Sequence, residues 1–188
     1  SLGANEITDI SPLVNLTSLR KLNLGSNQIE NISALSNLTN LQELWLPFNQ
    51  ITDISPLSGL INLRVLNLSS NRIKDISPLS RLINLKELSL SANQINNINP
   101  LSGLTNLQEL NLASNLINDI RPLINLTSLR WLDLNNNQIS DITPLVSNFG
   151  LGQGDTVYIQ NNYLDLTPGF SNVNNIQILQ NRGVKIYF

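Results

Sequence analysis

Residues 41–49 read LQELWLPFN, and residues 63–71 read LRVLNLSSN. Both stretches follow the frame Leu-x-x-Leu-x-Leu-x-x-Asn, whose asparagine recurs every 22 residues at Asn27, Asn49, Asn71, Asn93, Asn115 and Asn137. Self-similarity at a fixed period of this length indicates a repeat architecture, in which each unit packs on its neighbours. The two stretches differ most at Trp45, Pro47 and Phe48, where the second has small polar residues. Pro47 lies where the strand ends, so we expect the proline to be tolerated there at the loss of one ladder hydrogen bond.

Each repeat contains one short strand followed by an asparagine. Leu22 and Leu24 are two residues apart, the spacing at which strand side chains point to one face, so both are predicted to face the core. One strand per repeat, stacked at about 4.8 Å, builds a parallel sheet. The chain turns after the strand, and an inward Asn27 amide, which donates and accepts, is expected to satisfy the backbone groups that the turn buries.

A recurrent segment, Asp-Ile-Ser/Thr-Pro-Leu, then returns the chain. It begins at Asp9, Asp53, Asp75 and Asp141. Ser or Thr before Pro is typical of a helix start, so we predict that this residue caps a single helical or 3-10 turn on the convex side. Asn31 and Asn97 replace the aspartate in two repeats, and an amide can accept a backbone hydrogen bond but cannot transfer a proton. The aspartates are therefore predicted to be structural.

The repeat frame loosens after Pro144, and a different ending follows. The stretch SNFGLGQGD leads into Val157 and Ile159, where the strand pattern resumes. We then predict a helix over about residues 172–181 and a last strand within GVKIYF. The sequence thus predicts one domain, with repeats over residues 1–147, of which the first is incomplete. An irregular last coil, a capping helix and a terminal strand occupy residues 148–188. The incomplete start indicates a part of a larger protein.

Composition argues against several classes of function. The chain of 188 residues has a net charge of −2 and contains neither histidine nor cysteine. These absences remove the commonest general base, the commonest metal ligand and the thiol nucleophile, so we predict no catalytic residue, no metal, no cofactor and no enzymatic activity. Lys and Arg do not cluster along the sequence, and no membrane span is present, so neither nucleic acid binding nor membrane insertion is expected.

The repeats resemble a known family. Segments such as LTNLQELNLASNLINDI, at residues 104–120, look like the 22-residue leucine-rich repeats of internalins and the related repeats of eukaryotic phosphatase regulatory subunits. The closing segments GLGQGDTVYIQNNYLDL and LQNRGVKIYF resemble the last coil and cap of leucine-rich proteins from environmental bacteria and archaea. The resemblance implies an α/β solenoid, a leucine-rich repeat horseshoe with a parallel sheet on its concave face and 3-10 or short helical turns on its convex face. It also implies a non-enzymatic scaffold that binds proteins through the concave sheet, often at a cell surface.

Aromatic residues at outward positions of the predicted sheet are candidates for partner binding. They leave apolar area in water, and Trp and Tyr are frequent interface anchors. They form two groups, Trp45 with Phe48 towards the N-terminal side and Trp131 with Tyr158 and Tyr163 towards the C-terminal side. Four strands separate the tryptophans, about 19 Å at the spacing of a parallel sheet. An extended protein segment or a glycan chain could span that distance, whereas one small ligand could not.

Carboxylates occupy outward positions between and beside the aromatic groups. They are Glu43, Glu87, Glu109 and Asp133, with Arg72 at the edge of the surface. A mildly acidic floor of this kind favours a partner with some positive charge. These five residues and the five aromatic residues form the predicted partner-binding site.

Three hypotheses for function remain. The first is a monomeric recognition scaffold, extracellular or at the cell surface and part of a larger protein, that binds a protein or a glycan on the concave face. The second is a cytoplasmic regulatory scaffold of the phosphatase-subunit type. The third is a structural spacer without a ligand. A signal peptide in the full-length gene would separate the first hypothesis from the second.

Overall fold

The structure, a computed structural model, describes residues 1–188 and contains one open parallel sheet of eight strands. The strands pair strictly in chain order, each with its sequence neighbours. They are β1 Lys21–Asn23, β2 Glu43–Trp45, β3 Val65–Asn67, β4 Glu87–Ser89, β5 Glu109–Asn111, β6 Trp131–Asp133, β7 Thr156–Tyr158 and β8 Lys185–Tyr187. The predicted α/β solenoid with a parallel sheet is confirmed.

Short helical turns return the chain between strands, as predicted. Six of them are 3-10 turns, at Ser11–Leu13, Ser33–Leu35, Ser55–Leu57, Ser77–Arg81, Asn99–Leu101 and Arg121–Leu123. Two α-helices follow, α1 at Thr143–Ser147 and α2 at Ser171–Asn181. Helix α2 agrees with the predicted helix to within one residue. None of the helices combines the length and apolar composition that crossing a bilayer requires.

The core is a single stack of leucine and isoleucine side chains that runs the length of the solenoid. All 49 of its buried residues belong to one contiguous cluster. The register explains the stacking, since Leu44 on β2 pairs with Leu66 on β3. A 22-residue period therefore places equivalent side chains in contact, and no single repeat buries its leucines alone.

A row of buried asparagines holds the turns after the strands. The Nδ2 of Asn71 donates to the carbonyl oxygens of Leu46 at 3.0 Å, Leu68 at 3.0 Å and Ser69 at 3.2 Å. Its Oδ1 accepts from the backbone N–H of Ile51 at 3.0 Å. The structural role predicted for this asparagine is confirmed, because one amide joins the turn of its own repeat to the preceding repeat.

The return turns are capped differently from the prediction. In one of them, Oδ1 of Asp75 accepts from the backbone N–H of Ser77 at 2.8 Å, and Oδ2 accepts from the Ser77 hydroxyl at 2.9 Å. Both hydrogen bonds lower the pKa of Asp75, and the bond from the backbone N–H has the larger effect. The prediction that the Ser acts as the cap is wrong, because Ser77 is already the first residue of the turn and its hydroxyl donates. Asn31 and Asn97 accept the same backbone bond, which confirms the structural interpretation of this column.

Candidate functional site

The concave face carries a shallow depression that both tryptophans line. Its volume is about 220 Å³, and Trp45 on β2 and Trp131 on β6 are its lining residues on the outermost contributing strands. The outward side chains between them are Val65, Asn67, Glu87, Ser89, Glu109 and Asn111. The sequence placed the tryptophans in two separate aromatic groups, and the structure brings both to one depression.

Two carboxylates give this depression its negative charge. Glu87 and Glu109 are register partners on β4 and β5, both exposed, and neither forms an ion pair. Glu43 lies outside the depression and is neutralised by Lys21, with 2.6 Å between Nζ and Oε1. Adjacent like charges without a counter-ion repel one another, so the site is complementary to a cation.

Asp133 is partly buried beside the site and does not line the depression. Burial disfavours its charged form and raises the pKa of the carboxyl group, against the opposing effect of a hydrogen bond from the backbone N–H of Asn135. That bond measures 3.0 Å to Oδ1. Asp133 therefore serves the turn after β6 as a backbone acceptor.

An aromatic row extends from Trp131 towards the C-terminal edge of the sheet. The rings of Trp131 and Tyr158 are 5.9 Å apart between centroids and tilted by 55°. Tyr158 in turn stacks on Tyr187 of β8, with centroids 4.8 Å apart and 9° between the planes. Sequence reasoning missed Tyr187, although its place in the last strand, in register with Tyr158, could have indicated it. Tyr163 is 70% exposed and lies outside this row.

Trp45 and Pro47 compensate for one another. In the next repeat, the backbone N–H at the position of Pro47 donates a hydrogen bond to the side chain at the position of Trp45, and the repeat of Trp45 lacks this bond. In the next repeat, Oδ1 of Asn67 accepts from the backbone N–H of Ser69 at 2.9 Å. Trp45 cannot accept such a bond, but Pro47 has no N–H to donate. The prediction that Pro47 loses a ladder hydrogen bond is wrong, because the N–H at this position bonds to a side chain and not to the neighbouring strand.

The proline ring also requires space on the preceding repeat. A Cβ atom added to Gly25 would lie 2.9 Å from Cγ of Pro47, which is closer than side chains tolerate. The lack of a side chain at Gly25 therefore leaves room for the ring of Pro47. Because Pro47 has no N–H, the position of Trp45 does not need the asparagine acceptor found in the next repeat. This arrangement places a large aromatic side chain on the concave face without leaving a backbone donor unpaired.

Phe48 has an unfavourable backbone conformation and little burial. Its φ is 55°, and its side chain is 61% exposed. The equivalent positions with positive φ hold only small or amide side chains, at Ser26, Ser70, Ala92, Ser114, Asn136 and Asn161. A bulky residue in this region costs about 1 kcal/mol. Because burial does not offset this cost, Phe48 is a candidate contact residue.

The depression thus unites four of the ten predicted site residues, Trp45, Glu87, Glu109 and Trp131. Six others do not line it: Glu43, Phe48, Arg72, Asp133, Tyr158 and Tyr163. Of these, Phe48, Arg72 and Tyr163 are exposed. Sequence spacing identified the strands that carry seven of the ten residues but not which side chains meet.

Comparisons with known proteins agree with the fold. A family described as "Leucine Rich repeats (2 copies)" matches residues 1–37, 39–81, 61–104, 83–125 and 105–147. Internalin C2 from Listeria monocytogenes is 41% identical with a TM-score of 0.76, and the match covers 88% of this chain and 71% of that chain. An internalin (inlF) from the same organism is 33% identical with a TM-score of 0.72, and the match covers 99% and 61% of the two chains.

A plant receptor shares the architecture. The ectodomain of the membrane receptor kinase GASSHO1/SCHENGEN3 from Arabidopsis thaliana was solved in complex with CASPARIAN STRIP INTEGRITY FACTOR 2. It is 27% identical with a TM-score of 0.66, and the match covers 87% of this chain and 24% of that chain. No curated protein sequence matches significantly. The chain therefore spans less than two thirds of two of these three relatives.

Proposed function

The chain belongs to the leucine-rich repeat family, with repeats of the internalin type, and on this premise we propose that it binds a protein partner through its concave face. Leucine-rich repeat relatives imply a protein-interaction scaffold. The observation that carries the finer proposal is that Trp45 and Trp131 line one depression on that face. Tryptophan side chains of this kind act as anchors at interfaces because they bury a large area at a low entropic cost.

The charges of the depression favour a partner segment with a basic side chain. Glu87 and Glu109 carry adjacent carboxylates without a cation. An arginine or lysine of the partner would neutralise them, and its charged group would also be attracted to the face of a neighbouring tryptophan. We expect an extended segment, because the depression is shallow and crosses five strands from β2 to β6.

The relatives support this role and an extracellular location. One similar ectodomain was solved in complex with CASPARIAN STRIP INTEGRITY FACTOR 2, and two similar chains are internalins. We propose a non-enzymatic, monomeric module of an extracellular or cell-surface protein. A signal peptide in the full-length gene supports this location, whereas its absence, together with recovery of the protein from the cytoplasm, favours the alternative of an intracellular scaffold.

Quantitative capture with concave-face variants tests the proposal. Immobilised wild-type protein and the variants Trp45→Ala and Trp131→Ala are incubated with a cell-surface protein fraction, and captured proteins are quantified by mass spectrometry. We expect at least one protein whose capture falls about tenfold or more in each variant, since a tryptophan anchor contributes about 2 kcal/mol or more.

Phe149→Ala is the matched control. Phe149 is an aromatic residue that is 86% exposed and lies between α1 and β7, outside the concave strands. This variant should leave capture unchanged, and a cooperative thermal transition should show that all three variants remain folded. The proposal fails if every captured protein is retained by both tryptophan variants, which is the result expected of a structural spacer.

A further inference from the structure

Basic side chains from separate repeats line up on one flank of the solenoid. The residue directly before each of the first six strands is Arg20, Gln42, Arg64, Lys86, Gln108 or Arg130. The residue two positions earlier is Ser18, Asn40, Asn62, Asn84, Asn106 or Ser128. We call these twelve positions the basic flank. It holds four cations and no acidic residue in a chain whose net charge is −2.

A groove on the basic flank is entirely polar. Its volume is about 400 Å³, and it is lined by Gln42, Asn62, Arg64, Asn84, Lys86 and Asn106. Arg64 and Lys86 are exposed and form no ion pair, and the same holds for Arg20 nearer the N-terminus. Arg130 is partly neutralised, with 3.6 Å between its Nη1 and Oδ2 of Asp155. The groove thus presents positive charge without a protein counter-ion.

The amides of this groove are held in place by the preceding repeats. The Nδ2 of Asn62 donates to the carbonyl oxygen of Thr39 at 2.9 Å, and Nδ2 of Asn84 donates to that of Ile61 at 2.9 Å. Asn40 and Asn106 make the equivalent bond. Each such amide keeps a second N–H and a carbonyl oxygen for another partner. A row of oriented donors and acceptors therefore runs beside the cations and loses little entropy when a ligand binds.

We propose that the basic flank binds a linear anionic polysaccharide whose sugar rings carry carboxylate or sulfate groups. The cations would pair with the anionic groups, and the amides would bond to the sugar hydroxyls. From Arg20 to Arg130 the flank crosses five repeat steps, about 24 Å at the spacing of a parallel sheet, which suits a chain rather than one sugar. The surface is separate from the depression on the concave face.

The composition of the groove favours this ligand over two other polyanions. The residues that line the groove give an acidic peptide no apolar side chain on which to bury its own, and such burial supplies the core of protein interfaces. Single-stranded nucleic acid binds largely by stacking bases on aromatic residues, and the groove has none. Hydroxyl groups and anions are what amides and cations recognise.

Binding of defined polysaccharides to two charge-matched double variants tests the proposal. Arg64→Gln with Lys86→Gln removes two flank cations, and Lys74→Gln with Arg81→Gln removes two cations elsewhere. All four side chains are exposed and form no ion pair. Dextran sulfate, polygalacturonate and neutral dextran are titrated by calorimetry at low ionic strength. Wild-type protein should bind at least one anionic polymer, and the flank variant should bind it about tenfold more weakly.

Three other results would overturn the proposal that the basic flank binds an anionic polysaccharide. Equal weakening in both double variants would mean attraction by net charge alone and would overturn the proposal. So would binding no tighter than to neutral dextran, or tighter binding to polyglutamate or to single-stranded DNA. Unchanged melting temperatures exclude unfolding as the cause. Trp45→Ala should leave polysaccharide binding intact, so this test and that of the concave face fail independently.

Discussion

At the scale of residues, the irregular features of β2 and the turn after it compensate one another. Trp45 removes a side-chain acceptor, Pro47 removes the donor that would need it, and Gly25 provides space for the proline ring. The sequence shows that Trp45 and Phe48 depart from the repeat, but the hydrogen bond that it predicts Pro47 to lose is the wrong one. The error arose because period-two alternation does not tell which backbone N–H points along the sheet and which bonds to a side chain.

The matching of Trp45 and Pro47 predicts a favourable coupling between substitutions. Trp45→Asn alone provides an acceptor without a donor, and Pro47→Ser alone provides a donor without an acceptor. The double variant restores the pair found at Asn67 and Ser69. We expect it to be about 1 kcal/mol more stable than the sum of the single effects, since one hydrogen bond is regained. Urea unfolding of the four proteins measures this, and additive effects would contradict the matching.

Phe48 predicts a substitution that stabilises the fold and weakens binding. Phe48→Asn places an amide residue, which tolerates positive φ, where Asn136 and Asn161 already adopt it. The free energy of unfolding should rise by about 0.5–1 kcal/mol as the strain is relieved. Ser26→Asn, at the equivalent position of the preceding repeat, is the control and should change stability less. Thermal unfolding measures the gain in stability, and the capture experiment described above measures the loss of binding. A loss of stability in Phe48→Asn would contradict the assignment of strain.

At the scale of elements, two rows of asparagine run along the solenoid and differ in burial and in the number of hydrogen bonds that each residue makes. The row containing Asn71 is buried and makes four hydrogen bonds per residue, and sequence analysis predicted it. The row containing Asn62 is exposed and makes one bond to the preceding repeat, and sequence analysis missed it. Both rows recur every 22 residues, so periodicity alone does not distinguish them.

The difference between the two rows predicts different costs for the same substitution. Asn71→Ala leaves the N–H of Ile51 buried without a partner and removes one hydrogen bond from each of three carbonyl oxygens, which keep a second donor. The substitution should cost about 1–3 kcal/mol. Asn62→Ala removes one bond in an exposed setting and should cost less than about 1 kcal/mol. Urea unfolding of both variants gives the comparison. Similar costs would mean that burial does not set the value of these amides.

At the scale of the whole molecule, the C-terminal segment contacts the preceding repeat directly through backbone atoms. A Cβ atom on Gly150 would overlap the backbone of Thr127, so only glycine permits this approach to the preceding repeat. Beyond it, β7 and β8 continue the sheet, and α2 packs against α1 and β8. We propose that residues 148–188 belong to the same domain as residues 1–147, as the sequence analysis predicted.

Gly150 provides a test of that domain organisation. Gly150→Ala should destabilise the protein by about 1–3 kcal/mol because the added methyl group meets backbone atoms. If the segment is part of one cooperative domain, the variant lowers a single unfolding transition, followed by hydrogen exchange in both segments. Gly152→Ala is the control, since its added Cβ would come no closer than 3.8 Å to Arg182. Two separate transitions would contradict the single domain.

The amino-acid sequence alone was enough for the strands, the convex turns, the leucine core and the buried asparagines. Each depends on a local pattern that a strict 22-residue period repeats, so the physics of one repeat applies to all of them. It was also enough to select the outward columns in which function should be sought.

Only the tertiary structure decided which outward side chains meet. Trp45 and Trp131 line one depression although they are 86 positions apart in the chain. Glu43 does not line this depression and forms an ion pair with Lys21. Arg64 and Lys86 form part of a basic flank that no run of sequence indicates. The physical reason is that these contacts join different repeats, and they depend on the register of the stack and on the reach of each side chain rather than on local periodicity.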